Sequence, residues 1–147
     1  MPAKALPRRV GFSTVTPYLI LTGAPKFIDF VKTAFDATER RRHLDDAGNI
    51  KHAEVQVGES IIWLAEALPA WPAMPTGLLI YVDDADATYQ RALSAGATSI
   101  MPPSDQFYGD RMGGVTDMCG NQWWIATHIE DVSEEELERR SKLAPKH

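Results

Sequence analysis

The feature that most limits how this chain can fold is a repetition in the order of its elements. A shift of 60 residues lays Asp36-Ala37-Thr38 on Gly96-Ala97-Thr98 and Tyr18-Leu19-Ile20-Leu21 on Leu78-Leu79-Ile80-Tyr81. Few residues coincide, so the order of elements carries the repeat: each half reads strand, helix, three strands. In the first half, Thr14 to Leu21 is β-branched and aliphatic and suits a strand, with Pro17 placing it at a sheet edge or a strand end. Pro25 opens a helix whose Phe27, Phe30, Val31, Ala34 and Phe35 recur on one face. Thr38 to Leu44 leads through the turn Asp45 to Asn49 into Lys51 to Val57. There Ala53, Val55 and Val57 alternate with His52, Glu54 and Gln56. Gly58-Glu59 reads as a two-residue hairpin loop entering Ser60 to Glu66.

The second half follows a connector containing Pro69, Pro72 and Pro75. Gly77 to Val82 reads as a strand. Asp83 or Asp84 caps a helix from Ala85 to Ala95, and Gly96 ends it. A short strand from Thr98 to Met101 is expected to stop at Pro102-Pro103, with another near Gly114 to Asp117 and a last one from Gln122 to Ile129. Beyond it, Ser133 and Glu136 form a capping box, and Glu135/Arg139, Glu136/Arg140 and Glu138/Lys142 are helix-supporting pairs. This helix, 133–142, is expected to be ordered by packing through Leu137 or by a partner. The expectation is an α+β fold of two βαβββ modules, about 14–66 and 76–130. Their strands form a curled eight-stranded mixed sheet with helices on one face and a cleft on the other. A C-terminal helix completes a single domain over 10–147.

Composition narrows the function. Residues 10–132 carry 8 basic against 16 acidic side chains within a net charge of -5. That balance is poorly suited to a phosphate backbone, and no nucleic-acid partner is expected. No apolar run reaches 18 residues and none follows the basic N-terminus, so neither a membrane partner nor a secretory leader is expected. The lone Cys119 excludes a disulfide framework and points to a reducing, cytoplasmic setting. Its place in a turn, with no adjacent base, gives little reason to read it as a nucleophile.

The chemistry-bearing residues are few. His52 and Glu54 share one strand face, a spacing that serves a general base, two metal ligands or a plain solvent-facing edge. Motifs for zinc hydrolases, nucleotide loops and nucleophile elbows are absent from the sequence. Trp63, Trp123 and Trp124 either fill the core or present flat contact surfaces. In the last strand Gln122, Trp124, Ala126 and His128 share a face opposite Trp123, Ile125 and Thr127, and periodicity alone does not say which is inward. Tyr108 and Arg111 sit in one polar loop. Arg111 is either paired with Asp105, Asp110 or Asp117, or aimed at an anionic ligand.

The segments TPYLILTGAPKFIDFVKTAFDATE, KHAEVQVGESIIWLAE, LLIYVDDADATYQRALSAGATSIMPPSDQFYGDR and DMCGNQWWIATHIEDVSEEELERR together resemble, in that order, the glyoxalase/bleomycin-resistance/extradiol-dioxygenase (vicinal oxygen chelate) superfamily and its PhnB-like subgroup. The resemblance spans about Thr14 to Arg140. It implies paired βαβββ modules around a cleft, assembled as a homodimer. Metal-dependent relatives hold their ion at positions that fall here on Thr16, Trp63, Gly77 and Trp124, none of them a histidine or carboxylate. A usual Asp-Pro-Phe-Gly-His turn stands here as Asp117-Met118-Cys119-Gly120-Asn121. The resemblance therefore implies no metal, no cofactor, and a cleft lined by Trp63 and Trp124 that binds a flat or aromatic small molecule, protectively by sequestration. The expected lining is Trp63, Trp124, Tyr108, Arg111, His52, Glu54, Gln122 and His128. Two alternatives stand beside it. One is a lyase or isomerase with an unconventional site at His52 and Glu54, with His128 as a further candidate. The other is an interaction module acting through the C-terminal helix.

Overall fold

The computed structural model describes residues 4–144, so residues 145–147 of the expected domain lie outside the described residues. The chain divides after Pro75 into two compact units. Each is one βαβββ module, and the fold is α+β, with two four-stranded mixed sheets and three helices among the described residues.

The first module comprises β1 (Tyr18–Leu21), α1 (Ala24–Phe35), β2 (Thr38–Leu44), β3 (Ile50–Val57) and β4 (Ser60–Glu66). Its sheet order is β1-β4-β3-β2, with β1 parallel to β4 and the other pairs antiparallel. β1 begins at Tyr18 rather than Thr14. Pro17 has no N–H to give the ladder, and only its carbonyl takes part, accepting from the Trp63 N–H at 2.9 Å. The aromatic stripe of α1 is buried as its spacing predicts: Phe27, Ile28, Phe30, Val31 and Ala34 are almost out of water, with Leu19, Leu21, Ala53, Val55 and Leu64 of the sheet. Each fully buried large side chain contributes on the order of 1.5–3 kcal/mol. The N-terminus of α1 lacks a local cap, because Gly23 occupies that position. Glu66 of β4 supplies it instead, its two carboxylate oxygens accepting the Gly23 and Ala24 N–H groups at 2.9 Å each.

The second module comprises β5 (Gly77–Tyr81), α2 (Ala85–Ser94), β6 (Thr98–Asp105), β7 (Asp110–Thr116) and β8 (Gln122–His128). Its order, β5-β8-β7-β6, repeats that of the first. Asp84 caps α2 by accepting from the Ala87 N–H. Two boundaries depart from the sequence reading. β6 runs through Pro102-Pro103 to Asp105, which an outermost strand tolerates because an edge need not use every N–H, and the register shifts between Met101 and Ser104. β7 begins at Asp110, where the turn from Gln106 to Gly109 closes. Trp123 joins the buried side with Val115 and Ile125, and its indole N–H donates to Asp117 at 2.9 Å. Asp117 also accepts from the Asn121 N–H, and the buried Asn121 side chain accepts from the Thr76 N–H. The unusual turn thus ties the start of β5 to the start of β8.

The C-terminal helix α3 (Glu134–Leu143) is capped by Ser133, whose hydroxyl accepts from the Glu136 N–H. Glu136–Arg140 and Glu138–Lys142 pair as expected, while Arg139 turns to Glu136 rather than Glu135. Arg140 fastens the helix to its own module through Glu130 and the Phe107 carbonyl.

Candidate functional site

Residues paired directly across neighbouring strands share a face, so the ladder registers sort each sheet into a helix-covered side and a helix-free side. In the first module, Tyr18 pairs with Trp63 and Trp63 with Glu54, a row opposite Leu19, Leu64 and Ala53. In the second, Leu79 pairs with Trp124 and Trp124 with Gly114, a row opposite Trp123 and Val115. The two indoles therefore occupy equivalent register positions, each on the side away from its helix. Periodicity left this open for β8. The burial of Trp123 and the near-contact of Trp124 with Gly114 decide it, since a Cβ on Gly114 would lie 2.6 Å from the Trp124 ring.

Trp63 is ringed by aromatic edges. Its centroid lies 4.4 Å from His52, 5.8 Å from Tyr18 and 6.4 Å from Phe12, all close to perpendicular. Its indole nitrogen is buried with no hydrogen-bond partner among the described residues. Beside it Glu54 is fully buried, not on a solvated edge. Arg9 engages both carboxylate oxygens, Nη1 at 2.5 Å and Nη2 at 3.4 Å, and the Nε2 of His52 stands 3.6 Å away. Burial pushes the Glu54 pKa up. The hydrogen bond and charge of Arg9, with help from Arg41 and His52, more than offset that and hold it below its ordinary value. Arg9 precedes the expected domain start at residue 10 and proves integral to this module. Toward the other end of the same sheet lies a groove of about 620 Å³ walled by Tyr18, Ile20, Leu44, Ala65, Leu68 and Trp71.

In the second module the helix-free side continues from Trp124 through Ala126 to His128. The buried carboxylate of Asp110 accepts from the Tyr81 hydroxyl at 2.7 Å and bonds His128 Nδ1 at 2.8 Å, while His128 Nε2 meets Asp131 at 2.7 Å. The bonds to Asp110 and then Asp131 raise the His128 pKa, and Asp110 likewise raises that of Tyr81. Tyr108 is half-buried in the β6–β7 turn, where it donates to the sulfur of Met112 at 3.6 Å, and burial raises its pKa. Gln122 is exposed at the start of β8, paired with Thr116.

Arg111 lies elsewhere. It falls on the α2 side of β7, where Nε and Nη2 grip Asp86 at 2.7 and 3.0 Å and Nη1 reaches Asp105 at 3.0 Å. Of the carboxylates expected for it, Asp105 is a partner, and Asp86 from α2 completes the clamp. The structure thus brings His52, Glu54 and Trp63 together in one module. In the other it places Trp124, His128 and Gln122 along one face, with Arg111 on the opposite face. The sequence reading did not foresee Arg9, Phe12, Tyr18 or Trp71 around the first site, nor Tyr81 and Asp110 in the second. Strand alternation flags Tyr18 and Tyr81, since each stands one pairing row from an indole or beside it. No local signal flags Arg9.

The positions at which the resemblance places a metal, Thr16, Trp63, Gly77 and Trp124, carry no imidazole, carboxylate or thiolate. The Trp63 row offers Tyr18 and a Glu54 already taken by Arg9, with the His52 imidazole 3.6 Å from that carboxylate, and the Trp124 row offers Leu79 and Gly114. Zinc-type ions are held by imidazole, carboxylate or thiolate donors. Among the described residues no group of three His, Cys, Asp or Glu side chains is placed to hold a metal.

Two βαβββ modules with parallel outer pairs and helix-free faces define a paired-module α+β class. The family model of the Glyoxalase/Bleomycin resistance protein/Dioxygenase superfamily matches residues 16–125, and the chain belongs to that superfamily. An uncharacterized protein of Mycobacterium bovis is 31% identical over 135 residues, covering 84% of this chain and 89% of the relative. The fold matches the crystal structure of TioX from Micromonospora sp. ML1 with a TM-score of 0.67 at 24% identity, over 80% of this chain and 99% of that one. It also matches a PhnB protein from Bacillus cereus described as a putative 3-demethylubiquinone-9 3-methyltransferase, with a TM-score of 0.60 at 16% identity, over 78% and 99%. No helix among the described residues is long and apolar enough to cross a membrane.

Proposed function

We propose that this protein binds a flat, aromatic small molecule on the helix-free faces of its sheets, without a metal or other cofactor, and protects by sequestering it. It acts as a cytoplasmic homodimer with no nucleic-acid or membrane partner. One observation carries the reading: an indole stands at the same register position of both modules, on the side its helix leaves uncovered. Rigid aromatic surfaces stack on planar ligands at low entropic cost, adding about 0.5–1.5 kcal/mol per ring pair beyond the area buried. The exposed Tyr18, Leu79 and Tyr81 extend these surfaces and also suit contact with a second copy. The donor chemistry around both tryptophans supports metal independence.

Titration of intrinsic tryptophan fluorescence with a panel of planar aromatics tests the reading. Quenching should saturate for at least one member and be lost in part on Trp63→Ala and in part on Trp124→Ala. A panel that leaves the emission unchanged at millimolar concentration overturns it. Size-exclusion chromatography with light scattering checks the homodimer.

A further inference from the structure

The most unusual group in the molecule is Glu54, a fully buried carboxylate on a strand whose close guanidinium comes from outside every helix and strand. Residues 4–16 form no regular element, and Leu6, Val10 and Val15 in it are 71%, 83% and 82% exposed. Two of its side chains nevertheless reach the indole face. Arg9 forks onto Glu54, and the Arg9 guanidinium also lies 4.6 Å from the centre of the Phe12 ring, which meets Trp63 edge-on. A cation resting on the face of a flat ring thus meets a buried carboxylate, while the ring itself meets the indole.

The fold itself does not require this arrangement. At the equivalent register position of the second module, opposite Trp124, stands Gly114, and that sheet forms without any charge there. An apolar side chain at position 54 would avoid the desolvation that a buried carboxylate carries, so the charge calls for another account. A second observation lies next to it: the Trp63 indole N–H is buried without an acceptor, a donor that the segment 4–16 leaves unused.

We propose that the Glu54–Trp63 face is a cation-selective subsite for a planar ring bearing an amidinium or guanidinium group, which the chain's own Arg9 and Phe12 fill until such a ligand displaces them. The ligand's cation replaces Arg9 on Glu54, its ring replaces Phe12 against Trp63, and in ligands whose ring also carries an acceptor atom that atom completes the indole N–H. This rests on the reading that the Trp63 face binds flat ligands and adds the charge of the ligand and its internal competitor.

Benzamidine and its neutral isostere benzamide, titrated into the full chain, provide the test, with the Trp63 indole N–H followed by two-dimensional NMR and assigned by Trp63→Phe. Benzamidine should shift that signal at concentrations at least tenfold below those benzamide needs. Arg9→Ala should tighten benzamidine binding about tenfold, and adding Glu54→Gln to that variant should abolish the gain. If Arg9→Ala does not fold, Arg9→Lys keeps the charge but loses the fork and should tighten binding in the same direction by a smaller factor. Equal binding of benzamidine and benzamide, or folded Arg9 variants that bind benzamidine no tighter than the parent, overturns the proposal. If neutral planar rings still perturb Trp63 in that case, the flat-ligand reading survives it. If no ring perturbs Trp63 or Trp124, both fall.

Discussion

The two modules share one topology and one register yet treat the same positions in opposite ways. Opposite Trp63 the first module places a buried glutamate and draws an arginine from the N-terminal segment onto it. Opposite Trp124 the second places a glycine and lays the indole against the backbone. Their β-hairpins differ similarly. Gly48, in the turn from β2 to β3, has nothing near its missing side chain. Gly109, in the turn from β6 to β7, abuts the Glu130 carbonyl and Val132 just ahead of α3. Repetition therefore dictates the scaffold, while the chain ends decide what each copy becomes: the N-terminal segment makes one charged pocket, and the C-terminal helix braces the other hairpin.

Substitutions at matched positions can break this comparison, and the hairpin glycines should respond most unequally. Both adopt positive φ, 86° at Gly48 and 98° at Gly109. Gly48→Ala should cost only the left-handed backbone penalty, about 1–2 kcal/mol. Gly109→Ala also drives a Cβ into a main-chain oxygen that cannot move alone and should cost about 3 kcal/mol or more. Urea unfolding of the two variants measures the difference, and equal losses would show that the segment 130–132 does not brace the hairpin.

Next in size is Arg9→Ala, which leaves Glu54 buried without its fork and should cost about 1–3 kcal/mol at neutral pH, toward the lower end because Arg9 is itself 42% exposed. The folded-state pKa of Glu54 is depressed. Its contribution is thus present above the ordinary value of 4.5 and lost as the pH falls through the folded one. The gap between parent and variant should accordingly close in acid, which denaturation at pH 7 and pH 3.5 can read.

Gly114→Ala should be comparable or milder, about 1–2 kcal/mol, since the ring it meets at 2.6 Å can shift where a backbone could not. Its signature is a change in Trp124 emission with Trp63 unaffected. The smallest effect is expected at His128. Its raised pKa means that its stabilising bonds to Asp110 and Asp131 are fully present below 6.5 and fade as the pH rises through the folded value. His128→Asn should therefore destabilise more at pH 5.5 than at pH 9.

Much of this was legible in the chain. The α1 stripe, the Asp84 and Ser133 caps, the Gly58-Glu59 hairpin and the paired βαβββ order all rest on spacing within a few residues. The misread pieces depend on position in the sheet. β6 passes two prolines because it is an edge strand, and Arg111 faces α2 because β7 starts at Asp110. Of the candidate site, alternation put His52 with Glu54 and Gln122 with Trp124, but it could not tell which side a helix would cover.

The sequence by itself determined the repeat, the two faces of every strand and the absence of metal-type donors at Trp63 and Trp124, because these follow from residue type and period. Only the tertiary structure decided that Glu54 is buried, that Arg9 reaches it across 45 positions, and that Trp63 keeps an unused donor. Such contacts arise when a segment without its own periodicity settles on a sheet, and their energy depends on the desolvation that the finished fold imposes.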